Sequence, residues 1–149
     1  MTDIGFYHLQ NTPLEKALPK LLEKVLASGA RAVVKAGSEE RVEALNAALW
    51  VYHPYSFLPH GSARDGMAEH QPIWLTVEDE NPNGASILIL TDGANSESVG
   101  KFARCLEIFD GSDPEAVSAA RERWKACKQA GHTVTYWRQT DKGGWQRMA

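Results

Sequence analysis

Three basic side chains and one tryptophan near the end of the chain are spaced to lie together on a helix. Arg121, Lys125 and Lys128 stand at positions i, i+4 and i+7, which a helix places in one strip. Trp124 borders that strip, whereas Arg123 points elsewhere. Cations for carboxylates beside an aromatic ledge suit a short acidic peptide that ends in a hydrophobic residue. The alternative is that the strip is only a solvated helix face.

The net charge of −3 is divided unevenly along the chain. Residues 1–116 carry 9 Lys and Arg against 17 Asp and Glu, whereas residues 117–149 carry 7 against 2. A basic end on an acidic body attracts an anionic partner. Single-stranded nucleic acid suits the strip less well than an acidic peptide, because the strip offers one stacking platform and the rest of the chain is acidic.

A second group of rings lies in the segment Trp50–His60, with the sequence WVYHPYSFLPH. Pro54 and Pro59 limit regular structure there, so several rings must lie on a loop. Aromatic side chains on rigid loops commonly anchor protein interfaces, and Trp50 and Phe57 are predicted to be the exposed anchors. The alternative is a loop that folds back onto its own core.

A third set of side chains could bind a metal ion and support hydrolysis. It consists of His60, Asp65 and His70 in one glycine-containing loop and Asp92 after an apolar run. The loop lacks the i, i+4 helical spacing of an HExxH site, and Asp92 before glycine is explained more simply as a turn residue. Neither GxGxxG nor GxxxxGK[ST] occurs, so nucleotide binding is disfavoured and no cofactor is expected.

The composition fits one globular domain in a reducing compartment. The chain has 149 residues, of which 43% are hydrophobic, and it contains 13 Trp, Tyr and Phe for a core. No apolar run approaches the ~20 residues that span a bilayer, and no signal peptide is recognisable. Cys105 and Cys127 are too few for a disulfide framework, so a cytoplasmic location is expected.

Hydrophobic periodicity predicts the elements that must position these residues. Strands are predicted over Asp3–Leu9, Ala30–Ala36, Ile73–Val77, Ser86–Thr91, Cys105–Phe109 and His132–Gln139. Helices are predicted over Leu14–Ser28, from Ser38 to Trp50, and over Glu115–Ala130. Thr12 and Ser38 are the predicted N-caps of the first two, and Asp113 and Pro114 open the third.

The order of these elements predicts an α/β fold. Strands that alternate with helices pair in parallel through crossover connections. No helix separates Ile73–Val77 from Ser86–Thr91, so these two strands are expected to pair antiparallel and to make the sheet mixed. The prediction is a single three-layer α/β/α domain over residues 1–149 with a mixed, mostly parallel sheet, and with residues 140–149 as a candidate flexible tail.

Stretches along nearly the whole chain resemble the chi subunit of bacterial DNA polymerase III. They occur in the same order and read FYHL, ALWVYHPYSFLPHG, HQPIWLT, ILILTDG, AARERWKACKQAGH and HTVTYW. The resemblance implies a small α/β/α domain without catalytic activity that serves DNA replication in the clamp-loader assembly. It implies two protein partners, the psi subunit and the acidic, phenylalanine-ending C-terminal tail of single-stranded-DNA-binding protein. Contact with single-stranded DNA would be weak or indirect, and no membrane is involved.

The resemblance also assigns residues to the two partners. The implied tail-binding residues are Val117, Arg121, Trp124, Lys125 and Lys128. Some family members have lysine where this chain has Val117, and Lys128 or Arg123 are the candidates to replace that cation. The implied psi-binding residues are Trp50, Phe57 and Pro59. A metal-dependent hydrolase that uses the set His60, Asp65, His70 and Asp92 is the alternative function.

Overall fold

A single eight-stranded sheet runs through the part of the chain that the computed structural model describes, residues 2–10, 12–50, 60–62, 66–91, 93–142 and 144–148. Its strands are β1 (Asp3–Leu9), β2 (Ala32–Lys35), β3 (His60–Ser62), β4 (Ile73–Thr76), β5 (Ile87–Thr91), β6 (Arg104–Asp110), β7 (Thr133–Gln139) and β8 (Trp145–Arg147). The helices are α1 (Leu14–Ala27), α2 (Glu39–Trp50) and α3 (Pro114–Gln129), with short 3-10 turns at Ala68–His70 and Val99–Lys101. The six strands and three helices predicted above are present, with ends shifted by at most two residues, and the short strand or turn predicted at Phe57–Pro59 lies outside the described residues.

The strand order is β3-β4-β2-β5-β6-β1-β7-β8. Every neighbouring pair is parallel except β7 and β8, which are antiparallel. The mixed, mostly parallel sheet is therefore confirmed, but its antiparallel pair lies at one edge. Within the described residues, no helix is long and apolar enough to cross a membrane.

The expected antiparallel pair of β4 and β5 is wrong, because β2 lies between them and is parallel to both. The connection from β4 returns to the opposite end of the sheet before β5 begins. Buried Asn83 fixes this return, since its Nδ2 donates to the carbonyl oxygens of Gln71 and Ala32 at 2.8 and 3.2 Å. A long return of this kind replaces the tight turn that an antiparallel hairpin needs.

Helices cover both faces of the sheet, because successive side chains of a strand point to opposite sides. In β1, Phe6 belongs to the core beneath α3, whereas Tyr7 and Leu9 belong to the core beneath α1 and α2. These two cores give the three layers that the sequence predicts.

Of the two predicted caps, Ser38 is confirmed and Thr12 is wrong, and Asp113 caps the third helix. Asp113 caps α3 by accepting a hydrogen bond from the Glu115 backbone at 3.0 Å, and Ser38 Oγ accepts one from the Arg41 backbone at 3.2 Å. Thr12 does not cap α1. Pro13 occupies the cap position without a side-chain bond, and the Thr12 hydroxyl instead accepts a hydrogen bond from Gln139 at 2.9 Å.

Candidate basic groove

Helix α3 lies on the sheet with one side buried and a basic side exposed. Ala120 is fully buried at the centre of the contact, and Val117 and Trp124 pack against the same core. Arg121, Lys125 and Lys128 are exposed. The structure therefore places the three predicted cations on the outer part of the helix and Trp124 at the border of its buried face.

Two cavities meet beside Arg121. The first has a volume of about 410 Å³ and is lined by His8, Arg121, Trp124, Lys125, Tyr136, Arg138 and Met148. The second, of about 560 Å³, shares His8, Arg121, Lys125 and Arg138 and extends to Val117 and Glu122. We call these two cavities together the basic groove. Four of the five predicted tail residues, namely Val117, Arg121, Trp124 and Lys125, line it.

Lys128 does not line the groove. Its Nζ lies 4.8 Å from the ring centroid of Trp124, within the range of a cation–π contact. The indole Nε1 of Trp124 is buried and has no hydrogen-bond acceptor among the described residues. Lys128 therefore contributes charge near the groove and supports one face of the indole.

Arg123, one of the two candidates to replace the cation missing at Val117, does not line the groove. Its side chain turns towards the sheet and forms an ion pair with Glu107 of β6, whose side chain is buried. Burial raises the pKa of Glu107, while the charge of Arg123 acts in the opposite direction. This pairing occupies the Arg123 guanidinium beneath the helix.

The opposite wall of the groove comes from strands that sequence reasoning did not connect with α3. His8 of β1 and Arg138 of β7 are partners in the parallel register, and Tyr136 lies on the same face of β7. Met148, after β8, completes the wall. The signal in the sequence was weak, because it consists only of one polar residue near the end of each of two apolar strands.

Hydrogen bonds hold this strand wall in place. His8 Nδ1 lies 2.7 Å from the Tyr136 hydroxyl. With the Gln10 amide assigned so that its oxygen faces Arg138, that oxygen accepts hydrogen bonds from Arg138 Nε and Nη2 at 2.6 and 2.7 Å. Among the described residues, none of Arg121, Lys125 and Arg138 forms an ion pair with a carboxylate. These three positive charges are thus available to a ligand.

Burial is the main reason why the uncharged forms of His8 and Tyr136 are favoured. It lowers the pKa of His8, with further lowering by the charges of Arg138 and Arg121 and an opposing effect of Asp110. It raises the pKa of Tyr136, against which Arg121 and Arg138 act. In the empty groove the positive charge therefore comes from arginine and lysine.

The predicted psi-binding surface is described only in part. Trp50, the last residue of α2, is 58% exposed, and its ring centroid lies 4.9 Å from that of His60. Phe57 and Pro59 lie outside the described residues.

The predicted metal ligands are not gathered by the residues that the structure describes. His60 is buried in β3, whereas His70 is exposed and lies 3.7 Å from Glu69. Asp65 and Asp92 lie outside the described residues. No three His, Cys, Asp or Glu side chains among the described ones lie close enough to hold a metal ion.

The fold and the groove define a small three-layer α/β/α protein with a cationic, partly aromatic surface groove. Comparison with known proteins shows that the chain belongs to the DNA polymerase III chi subunit family. The model of that family, described as DNA polymerase III chi subunit, HolC, matches residues 1–135. This match confirms the resemblance seen in the sequence.

A curated relative supports the same family. The chain is 32% identical over 109 residues to the probable DNA polymerase III subunit chi of Rickettsia prowazekii (strain Madrid E). The aligned part covers 73% of this chain and 66% of that protein, just under two thirds of its length. Residues 136–149, which include Arg138 and β8, lie beyond the part that the family model matches.

Proposed function

We propose that this protein is a non-catalytic accessory subunit of DNA polymerase III in DNA replication. In this proposal the basic groove binds the acidic C-terminal tail of single-stranded-DNA-binding protein, and the surface around Trp50 binds the psi subunit of the clamp loader. The observation that carries the proposal is the groove itself, in which Arg121, Lys125 and Arg138 surround one indole without carboxylate partners among the described residues.

The groove has the chemistry that an acidic peptide end requires. An arginine presents two parallel N–H donors to a carboxylate, so Arg121 can bind the terminal carboxylate in a bidentate manner. Trp124 and Met148 supply apolar surface for the phenylalanine side chain. A volume of about 410 Å³ lies within the usual range of ligand sites.

A peptide fits this surface better than single-stranded DNA does. Sequence-tolerant binding of a single strand uses a continuous basic path with several stacking rings. The rings of the groove, Trp124, Tyr136 and His8, line one cavity of about 410 Å³, and Tyr136 and His8 contact each other. The first 116 residues of the chain are strongly acidic. Direct contact with DNA should therefore be weak and should fade as salt is added.

The two proposed partners can bind at the same time. Trp50 lies at the end of α2, which packs on one face of the sheet, whereas α3 and the groove lie on the other face. A subunit with two such surfaces can link the clamp loader to protein-coated template without any catalytic group.

Titration calorimetry with a synthetic acidic peptide ending in phenylalanine tests the groove. One peptide per protein should bind, and removal of the terminal phenylalanine should abolish most of the affinity. Equal affinity for the peptide without phenylalanine, or no binding at all, would contradict the proposed tail site. Co-purification with psi tests the other surface.

A further inference from the structure

The strand wall of the basic groove contains a second set of groups that could bind an anion. His8 and Arg138 are directly paired across β1 and β7, so their side chains lie on the same face of the sheet. Both side chains line both cavities of the groove. They face the cations of α3 from the opposite side, and they share the first cavity with the indole of Trp124.

The His8 ring is held in one place by its surroundings. Nδ1 lies 2.7 Å from the Tyr136 hydroxyl, and the ring packs edge-on against Phe109 with centroids 5.2 Å apart. The ring also lies directly against the backbone of Gly111, where any side chain would collide with it. The ring is therefore positioned before a ligand arrives, which reduces the entropic cost of binding.

Positive charge predominates around His8. On β7 it faces Arg138 and Tyr136, on α3 it faces Arg121, and Asp110 lies at the end of β6. Lys125 and Glu122 of α3 line the groove further out. An anion between these cations would remove the repulsion that disfavours a charged His8.

We infer that Arg138 and His8 form a second carboxylate subsite, which binds a side-chain carboxylate of the same acidic peptide whose end lies against Arg121 and Trp124. The inference rests on the proposed function of the groove. It gives the groove an additional cation on the strand side, while Val117 stands on the helix side at a position where some family members have lysine. It also couples peptide binding to the protonation of His8.

The proton balance follows from the chemistry of imidazole. The neutral ring carries a proton on one nitrogen only, whereas the imidazolium ring donates from both. In the bound state Nδ1 donates to the Tyr136 oxygen, Nε2 lies against Gly111, and the positive charge of the ring stabilises the peptide carboxylate that Arg138 binds. The additional proton comes from the solvent, so each peptide that binds near neutral pH takes up a fraction of one proton.

The sign of the pH dependence is fixed by this uptake. A bound carboxylate raises the pKa of His8 relative to the empty groove, so peptide affinity must increase as the pH falls through the interval between the two pKa values. Each unit of that increase in pKa adds up to about tenfold in affinity. The charged and titratable groups that face His8 are Arg121, Lys125 and Glu122 on α3, Arg138 and Tyr136 on β7, and Asp110 on β6; burial raises the pKa of Tyr136, and hydrogen bonds from Ser112 lower that of Asp110. The pH range to examine lies around the ordinary pKa of imidazole, about pH 5.5 to 8.

Calorimetry with the acidic peptide across this pH range tests the inference. We expect the wild-type affinity to rise at least about threefold on acidification and the His8→Leu and His8→Gln variants to show a flat profile. The His70→Gln variant is the matched control, since His70 is exposed and does not line the groove, and it should keep the wild-type profile. NMR titration of His8 in the wild type should show its pKa rising when peptide is added.

A double-mutant cycle locates the carboxylate. Arg138→Gln should weaken binding about tenfold at every pH. Neutralising one particular acidic side chain of the peptide should weaken binding to the wild type but should not weaken binding to Arg138→Gln any further. If the wild type binds no peptide at any pH, the proposed function fails. If the wild type binds and Arg121→Ala does not, while the pH profile is flat and Arg138→Gln binds normally, only the second subsite is wrong.

Discussion

The guanidinium of Arg123 on α3 is paired with the buried carboxylate of Glu107 on β6. Two residues earlier, Arg121 turns outwards and lines the basic groove. The two arginines of the ARERW sequence thus have different surroundings, since one joins the helix to the sheet and the other faces solvent. Substitutions at the two positions should therefore affect different properties of the protein.

Arg123→Ala should destabilise the fold and leave peptide affinity unchanged. The substitution leaves the buried Glu107 carboxylate without its partner, which typically costs about 3–5 kcal/mol in the free energy of unfolding. Chemical denaturation of the variant measures the loss. The double variant Arg123→Ala with Glu107→Gln should recover part of it, and a normal stability of the single variant would contradict the structural role of this pair.

The loss of stability in Arg123→Ala should depend on pH. Burial already raises the folded-state pKa of Glu107, and removal of Arg123 raises it further. The folded variant then holds a proton that the unfolded chain releases above a pKa of about 4.5. The stability of the variant should consequently fall as the pH rises from the unfolded-state pKa of Glu107 to its raised folded-state pKa. The difference in stability from the wild type should therefore be largest near neutral pH and smaller in mild acid. Denaturation at several pH values measures this trend.

Trp50→Ala should weaken psi binding by about 2 kcal/mol or more, as is typical of an aromatic anchor. The fold should be affected little, because the side chain is 58% exposed. Leu49→Ala is the matched control on the same helix, since Leu49 is buried and its truncation should cost about 2–5 kcal/mol of stability. A lowered melting temperature of Trp50→Ala with unchanged psi affinity would show that the indole belongs to the core.

Removal of metal ions should leave the protein unchanged. The described residues contain no group of three potential metal ligands, although Asp65 and Asp92 are not among them. The melting temperature should be the same with and without a chelator, and metal analysis should find no stoichiometric ion. A chelator-sensitive melt would favour the metal-dependent hydrolase.

Local patterns in the sequence predicted the elements better than their order. Periodicity within 16 residues was sufficient to define α3 and its buried and exposed sides. The position of β2 between β4 and β5 depends on contacts of Asn83 with residues far away in the chain, which no local pattern contains. Strand β8 has only three residues, and its single apolar side chain, Trp145, packs edge-on against Tyr7 at 5.0 Å.

The difference between local patterns and contacts far apart in the chain also explains which half of the groove was predicted. Arg121, Trp124 and Lys125 lie within two turns of one helix, so their spacing alone brings them together. His8 and Tyr136 are separated by 128 positions and meet only because β1 pairs with β7. The sequence contains the periodicity of each strand but does not show which strand lies beside it. The strand wall could therefore be recognised only from the structure.

Arg121→Ala should cost about 2 kcal/mol or more in the free energy of peptide binding, because it removes the bidentate partner of the terminal carboxylate while the fold persists. Lys128→Ala should cost less, since Lys128 lies outside the groove lining, over the Trp124 ring, and an exposed charge acts mainly on association rate and salt dependence. Calorimetry and stopped-flow mixing with the acidic peptide separate the two effects. Arg121→Lys is the informative control, because it keeps the charge and loses the paired donors, so its affinity should fall between those of the wild type and Arg121→Ala. Wild-type affinity in Arg121→Ala would show that the cationic strip of α3 is only a solvated helix face.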